Sequence, residues 1–174
     1  VCTRAARVTT ANHELIQQAT QCLRLREITL YASRFERPQP PESLNVKGVQ
    51  QHKRETSYEA VDFRDGDEKR PTLQVMVSLG TRVIEQQKDV EPAVFFFIEA
   101  DFVVEYEMTG TLDDKAIKAF TDFNSVHNVW PFWRQHVFDI VQRGHLPKLD
   151  IPLFSGMKSS TPATTLDAQN RSTS

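Results

Sequence analysis

The sequence predicts an α+β domain in which a four-stranded antiparallel sheet carries helices packed on one face. Three observations lead there: period-two alternation through the middle of the chain, a helical stripe before it, and two helical stripes after it. With 174 residues and 39% hydrophobic content, the chain can bury one core and shows little sign of a second. The domain is expected over 12–154, between an N-terminal segment 1–11 and a Ser/Thr-rich tail 155–174, both expected to be disordered.

In NHELIQQATQCLRLRE, the residues Leu15, Ile16, Ala19, Cys22 and Leu23 share one helical stripe, with Asn12 placed to cap it. From Ile28 the period becomes two. Ile28, Leu30 and Ala32 face one way and Thr29, Tyr31, Ser33 and Phe35 the other, which predicts a strand ending near Arg37. Pro38, Pro40, Pro41 and Gly48 then exclude an uninterrupted helix or central strand, so Leu44, Val46 and Val49 are expected on a long connection. A second strand, from Thr56 to Phe63, runs into RDGDEK, where Gly66 beside Asp65 suits a hairpin turn.

The third strand alternates Leu73, Val75, Val77 and Leu79 on one face, with a bulge or bend expected at Gly80. The fourth is the clearest element. Its even positions from Val94 to Met108 are apolar or small, while its odd positions begin with Phe95 and Phe97 and turn acidic at Glu99, Asp101, Glu105 and Glu107. One face is core and the other solvated. Leu112, Ala116, Ala119, Phe120 and Phe123 make the next helical stripe, with Asp113 and Asp114 at its positive end. A last helix is expected to hold Pro131 in its first turn, to bury Trp133, Val137, Ile140 and Val141, and to close on Gly144 in a left-handed cap.

A formal charge of −2 argues against binding nucleic acid by bulk phosphate neutralisation. Cys2 and Cys22 are too close in sequence to form an extracellular framework, and no apolar run reaches the ~18 residues of a membrane span. A cytoplasmic protein without membrane insertion is expected. His13, His52, His127, His136 and His145 lack metal-ligand spacing, and neither a nucleophile elbow nor a phosphate-binding loop is present. No metal, cofactor or catalytic residue is therefore expected.

Two readings stand side by side for each remaining feature. Trp130, Phe132 and Trp133 are either core or the lining of an apolar groove, with Trp130 the more exposed. Leu44, Val46 and Val49 are either pinned to their own domain or part of such a groove. The row Glu99, Asp101, Glu105 and Glu107 is either an ordinary solvated face or a surface that draws a basic partner.

The string NVWPFWRQHVFDIVQRGHLPKLDIPLF resembles the C-terminal signature of the SecB chaperone family, with Pro131, Arg134, Arg143, Gly144, Pro147 and Leu149 in the family's order and spacing. Phe35, Glu36 and Pro38, and then Ser78, Leu79 and Gly80, agree upstream, so the resemblance covers about 25–154. It implies an ATP-independent holdase, a homotetramer built as a dimer of dimers, whose clients are unfolded preproteins lying in long hydrophobic grooves. Leu44, Val46, Val49, Trp130, Phe132, Trp133 and Val137 are the client-binding residues it suggests. SecA is a partner it implies, met by an acidic face comprising Glu36, Glu99, Asp101, Glu105 and Glu107. A Ser/Thr tail stands where classical export SecB has an acidic, Gln-rich helical one, and the helix before the first strand looks more like the SecB-like chaperones of toxin–antitoxin systems, which makes an antitoxin the other expected client. A reading from a different class is an interaction module of the same fold that binds one folded partner.

Overall fold

The computed structural model describes residues 10–38, 48–65, 68–85, 93–154 and 164–166. Helix α1 (Thr10–Cys22) leads into strand β1 (Leu23–Glu36), followed by β2 (Gly48–Asp65), β3 (Glu68–Glu85) and β4 (Val94–Met108). A continuous helical run then comprises α2 (Asp114–Phe120), one π-helical turn (Thr121–Ser125) and α3 (Val126–Arg143), and a short β5 (Thr164–Leu166) ends the described chain. The sheet is antiparallel throughout, in the order β1-β4-β3-β2-β5. The α+β class and the four long antiparallel strands are as the sequence predicts.

The alternation in β3 and β4 sets the core. Leu73, Val75, Val77, Leu79 and Val83 of β3 and Phe96, Ile98, Ala100, Phe102, Val104 and Tyr106 of β4 point to one face and are buried. Val126, Val129, Trp133, Val137 and Val141 of α3, one residue per turn, are buried against them. Ala116, Ile117 and Phe120 of α2 and Ala19 of α1 complete the cluster. Asp113 caps α2, its side chain accepting the Ala116 amide at 2.7 Å.

Several expectations are corrected. Thr10 and Ala11 are already helical, so Asn12 lies inside α1 and not at its cap. Leu23 to Arg26 belong to β1, because Leu23 and Leu25 pair with Met108 and Tyr106 and sheet pairing overrides a helical stripe of a few residues. β1 also carries two one-residue bulges, at Arg26 and Tyr31. The second inverts the phase: Leu30 shares a face with Phe102, but Ser33 and Phe35 then share that same face with Ala100 and Ile98, and Ala32 turns outward. Gly80 makes no bulge. It keeps register with Lys53 and Glu99, and a Cβ there would come within 3.3 Å of the Glu99 side chain, so its role is close approach. The irregularity falls instead between Val83 and Ile84, opposite Phe95, and lets Phe95 bury beside Phe96.

Val49 is a strand residue of β2 paired with Ile84, so it does not lie on the connection; Leu44 and Val46 lie outside the described residues. Pro131 sits inside α3 and not in its first turn. Pro131 and His127, whose carbonyl loses its helical partner there, are both exposed, so water can supply the missing bond. Residues 164–166, within the 155–174 segment, form β5 and pair with Gly48–Gln50.

The end of α3 is also corrected. Gly144 is right-handed at φ −81°, and the left-handed residue is His145 at φ 48°. The Leu146 amide reaches the Val141 carbonyl at 3.0 Å and the His145 amide reaches Gln142 at 3.3 Å, while Leu146 and Val141 are both buried. This is a Schellman closure with histidine where glycine is usual. His145→Gly is expected to raise stability by about 0.5–1 kcal/mol, since relief of the left-handed strain exceeds the added freedom of the unfolded chain. Thermal melting at pH 8 should show a midpoint higher by roughly 1–4 °C.

Candidate functional site

The inner, helix-bearing face of the sheet is covered unevenly. Over β3 and β4 the helices seal it. Over β2 the cover is the chain's own segment after α3, which Pro147 and Pro152 keep out of helix and which Leu146 and Leu149 anchor in the core. Gln50, 3% exposed, donates from Nε2 to the Asp150 carbonyl at 3.0 Å and accepts the Asp150 amide on Oε1 at 3.2 Å. The same Nε2 lies 3.0 Å from the Thr81 hydroxyl. Trp130 donates from Nε1 to the Pro152 carbonyl at 2.8 Å. Phe154 then enters an aromatic box, with ring centroids 5.4 Å from Trp130, 5.7 Å from Phe123 and 5.9 Å from His127, and the Arg54 guanidinium 5.7 Å from its own centroid.

The expected client residues are thus dispersed. Trp133 and Val137, at 1% and 2% exposure, are core under α3. Trp130 is half-buried and holds the segment after α3, so the exposed aromatic of the cluster is Phe132. Val49 is half-buried at the start of β2. Gln50, Arg54, Phe123, His127 and Phe154 were not singled out from sequence. A polar residue in a strand carries no signal for such a role, although Phe123 at the end of a stripe and Phe154 at the end of the patterned chain gave partial ones.

On the outer face, the acidic row of β4 is interleaved with basic and amide groups. Arg26 pairs with Glu107, Gln74 donates to Glu105 at 2.9 Å, and Glu99 sits opposite Arg34. Arg34 also pairs with Glu36 at 2.6 Å and lies 5.0 Å from the Phe97 ring centroid. Asp101 faces Ala32 and Ser78. The four carboxylates do share a face, as expected, but they do not present an unopposed negative field.

β1 forms the other margin and is open. Leu25, Leu30 and Phe35 project onto the inner face yet remain 48%, 48% and 39% exposed. Ser33 meets His136 Nε2 at 2.9 Å, which brings α3 alongside, and the exposed Phe132 stands one turn away on the same helix face. Among the described residues no cluster of His, Cys, Asp and Glu could hold a metal, and no helix is long and apolar enough to cross a membrane.

His52 and His136 lie on these two margins. Burial lowers the pKa of each below the ordinary imidazole value, partly offset by Asp150 for His52 and by Asp139 for His136. Both bind a proton more readily in the unfolded chain, so their stabilisation is complete above about pH 6.5 and is lost as pH falls through that value. Urea denaturation is expected to show a falling midpoint from pH 7 to pH 5. That fall should be shallower in His136→Gln and shallower again when His52→Asn is added.

No family model matches the chain, and no curated protein matches it. Among solved structures, the Mycobacterium tuberculosis Rv1957 SecB-like chaperone, in complex with a ChAD peptide from the Rv1956 HigA1 antitoxin, is similar at a TM-score of 0.58 and 14% identity. The match covers 83% of this chain and 99% of that one. The domain has a SecB-like fold.

Proposed function

We propose that the chain is an ATP-independent holdase that keeps non-native polypeptides soluble, working in the cytoplasm without catalysis. The observation behind this reading is the β2 margin of a SecB-like sheet, where an aromatic box holds an extended segment whose backbone is bonded by Gln50 and Trp130. With no nucleotide-binding motif in the sequence, affinity comes from apolar burial and backbone hydrogen bonds spread over many weak contacts. Leu44 and Val46 are further client-binding candidates in the proposal, as is Val49, half-buried at the start of β2.

An antitoxin is the client best supported. The helix α1 before the first strand and the antitoxin peptide bound by the structural neighbour favour it. SecA remains a second candidate partner through Glu36, Glu99, Asp101, Glu105 and Glu107, but the arginines among these carboxylates reduce the pull on a basic tail. The purified chain at stoichiometric ratio is expected to suppress light scattering from a chemically denatured client on dilution. Unchanged scattering would sink the holdase. Binding confined to one folded protein, with no competition among unrelated unfolded peptides, would instead mark a dedicated interaction module.

The face of β1 serves self-association in this reading. Leu25, Leu30 and Phe35 are exposed on the inner face of β1, Phe132 is exposed on α3, and the outer edge of β1 has no strand partner among the described residues; in this reading a second copy covers them. A homotetramer arranged as a dimer of dimers is the expected assembly. Light scattering at micromolar concentration should give about four times the 20.0 kDa chain mass. Leu30→Glu, which places a charge in that surface, is expected to reduce the assembly while leaving the far-ultraviolet circular dichroism unchanged. A parent protein that stays monomeric would refute it.

A further inference from the structure

We propose that Asp150–Phe154 is a built-in stand-in for a client, seated in a socket on β2 that binds an extended, aromatic-bearing stretch of non-native polypeptide. The proposal deepens the holdase reading and rests on it. Its basis is the kind of contact that holds the segment. Gln50 satisfies both the amide and the carbonyl of Asp150 with one side-chain amide, a pairing that any residue except proline can make. Trp130 likewise bonds a carbonyl, that of Pro152. Neither contact reads a side chain.

Side-chain contacts come from Ile151, which packs half-buried against the core, and chiefly from Phe154, which fills the box made by Phe123, His127, Trp130 and Arg54. Its neighbour Leu153 is 76% exposed and contributes nothing to the seat. Backbone bonds plus an apolar pocket are what a site needs to bind many unrelated extended chains. β5 repeats the theme at the same end of β2: its backbone pairs with Gly48–Gln50, and beyond Gln50 the β2 edge has no strand partner among the described residues.

Occupancy by its own chain has two consequences. The aromatic box stays covered when no client is present. A client must also displace a segment tethered a few residues from the anchors Leu146 and Leu149, so its apparent affinity falls by the fraction of time the socket is free. Weakening the stand-in without touching the socket therefore tightens client binding. Were the segment a fixed wall of the groove, the same change would weaken it.

The test uses the full chain and a fluorescein-labelled, end-capped peptide of its own residues 148–154, with affinity read by anisotropy. Phe154→Ala is expected to bind the peptide roughly ten-fold more tightly than the parent. Leu153→Ala should leave affinity unchanged, and Gln50→Leu added to Phe154→Ala should weaken binding again. Hydrogen exchange on the unmodified parent supplies an independent sign: with peptide bound, the amides of Asp150, Ile151, Leu153 and Phe154 should exchange faster. Equal or weaker binding by folded Phe154→Ala, or slower exchange at those amides, overturns the stand-in. If the parent still suppresses client aggregation in that case, the holdase reading survives; if it binds neither peptide nor denatured client, both fall.

Discussion

Helix α3 lays Val126, Val129, Trp133, Val137 and Val141 along the inner face of β3 and β4, and that contact decides what remains for the outer strands. Burying a tryptophan and four valines at 9% exposure or less gives the middle of the sheet a tight seal. Each such side chain contributes about 1.5–3 kcal/mol. A single helical layer is narrower than a sheet of this many strands, so both margins need other cover. On the β2 side the chain folds its own segment after α3 back across the strand. On the β1 side it leaves leucines and a phenylalanine facing water.

That division gives the two margins different chemistry. The β2 margin is polar beneath its aromatic box, with Gln50, His52, Arg54 and Thr56 on the inner face, and Thr56 tied to Asp122 at 3.1 Å. Such a surface can exchange one extended backbone for another, because its bonds are to peptide groups. The β1 margin is apolar and fits a repeatable, self-complementary contact. On the outer face, alternating charge of both signs keeps the sheet solvated without directing it strongly toward either sign of partner.

The central strands, the two helical stripes and the SecB-like order of elements were legible in the sequence because each depends on a local period. β4 shows this best, since its even positions are the buried ones from Phe96 to Tyr106. What local period cannot carry was missed. The bulge at Tyr31 reverses the facing of Phe35 without altering residue type, and Pro131 reads as a helix start although an exposed turn tolerates it inside α3. The role of Gln50 depends on Asp150, a hundred residues away, and only the folded register brings them together. Trp133, which the sequence offered both as core in the helical stripe and as groove lining, lies in the core.

The bulges in β1 bear on solubility. An edge strand of fourteen residues, with no partner on its outer side among the described residues, is a template on which further chains could stack without end. Arg26 and Tyr31 interrupt its hydrogen-bonding repeat at two points, so regular pairing with another strand runs only in short lengths. The same interruptions favour a closed assembly over an open filament. The exposed edge is thereby a poorer template for aggregation than its length alone would make it.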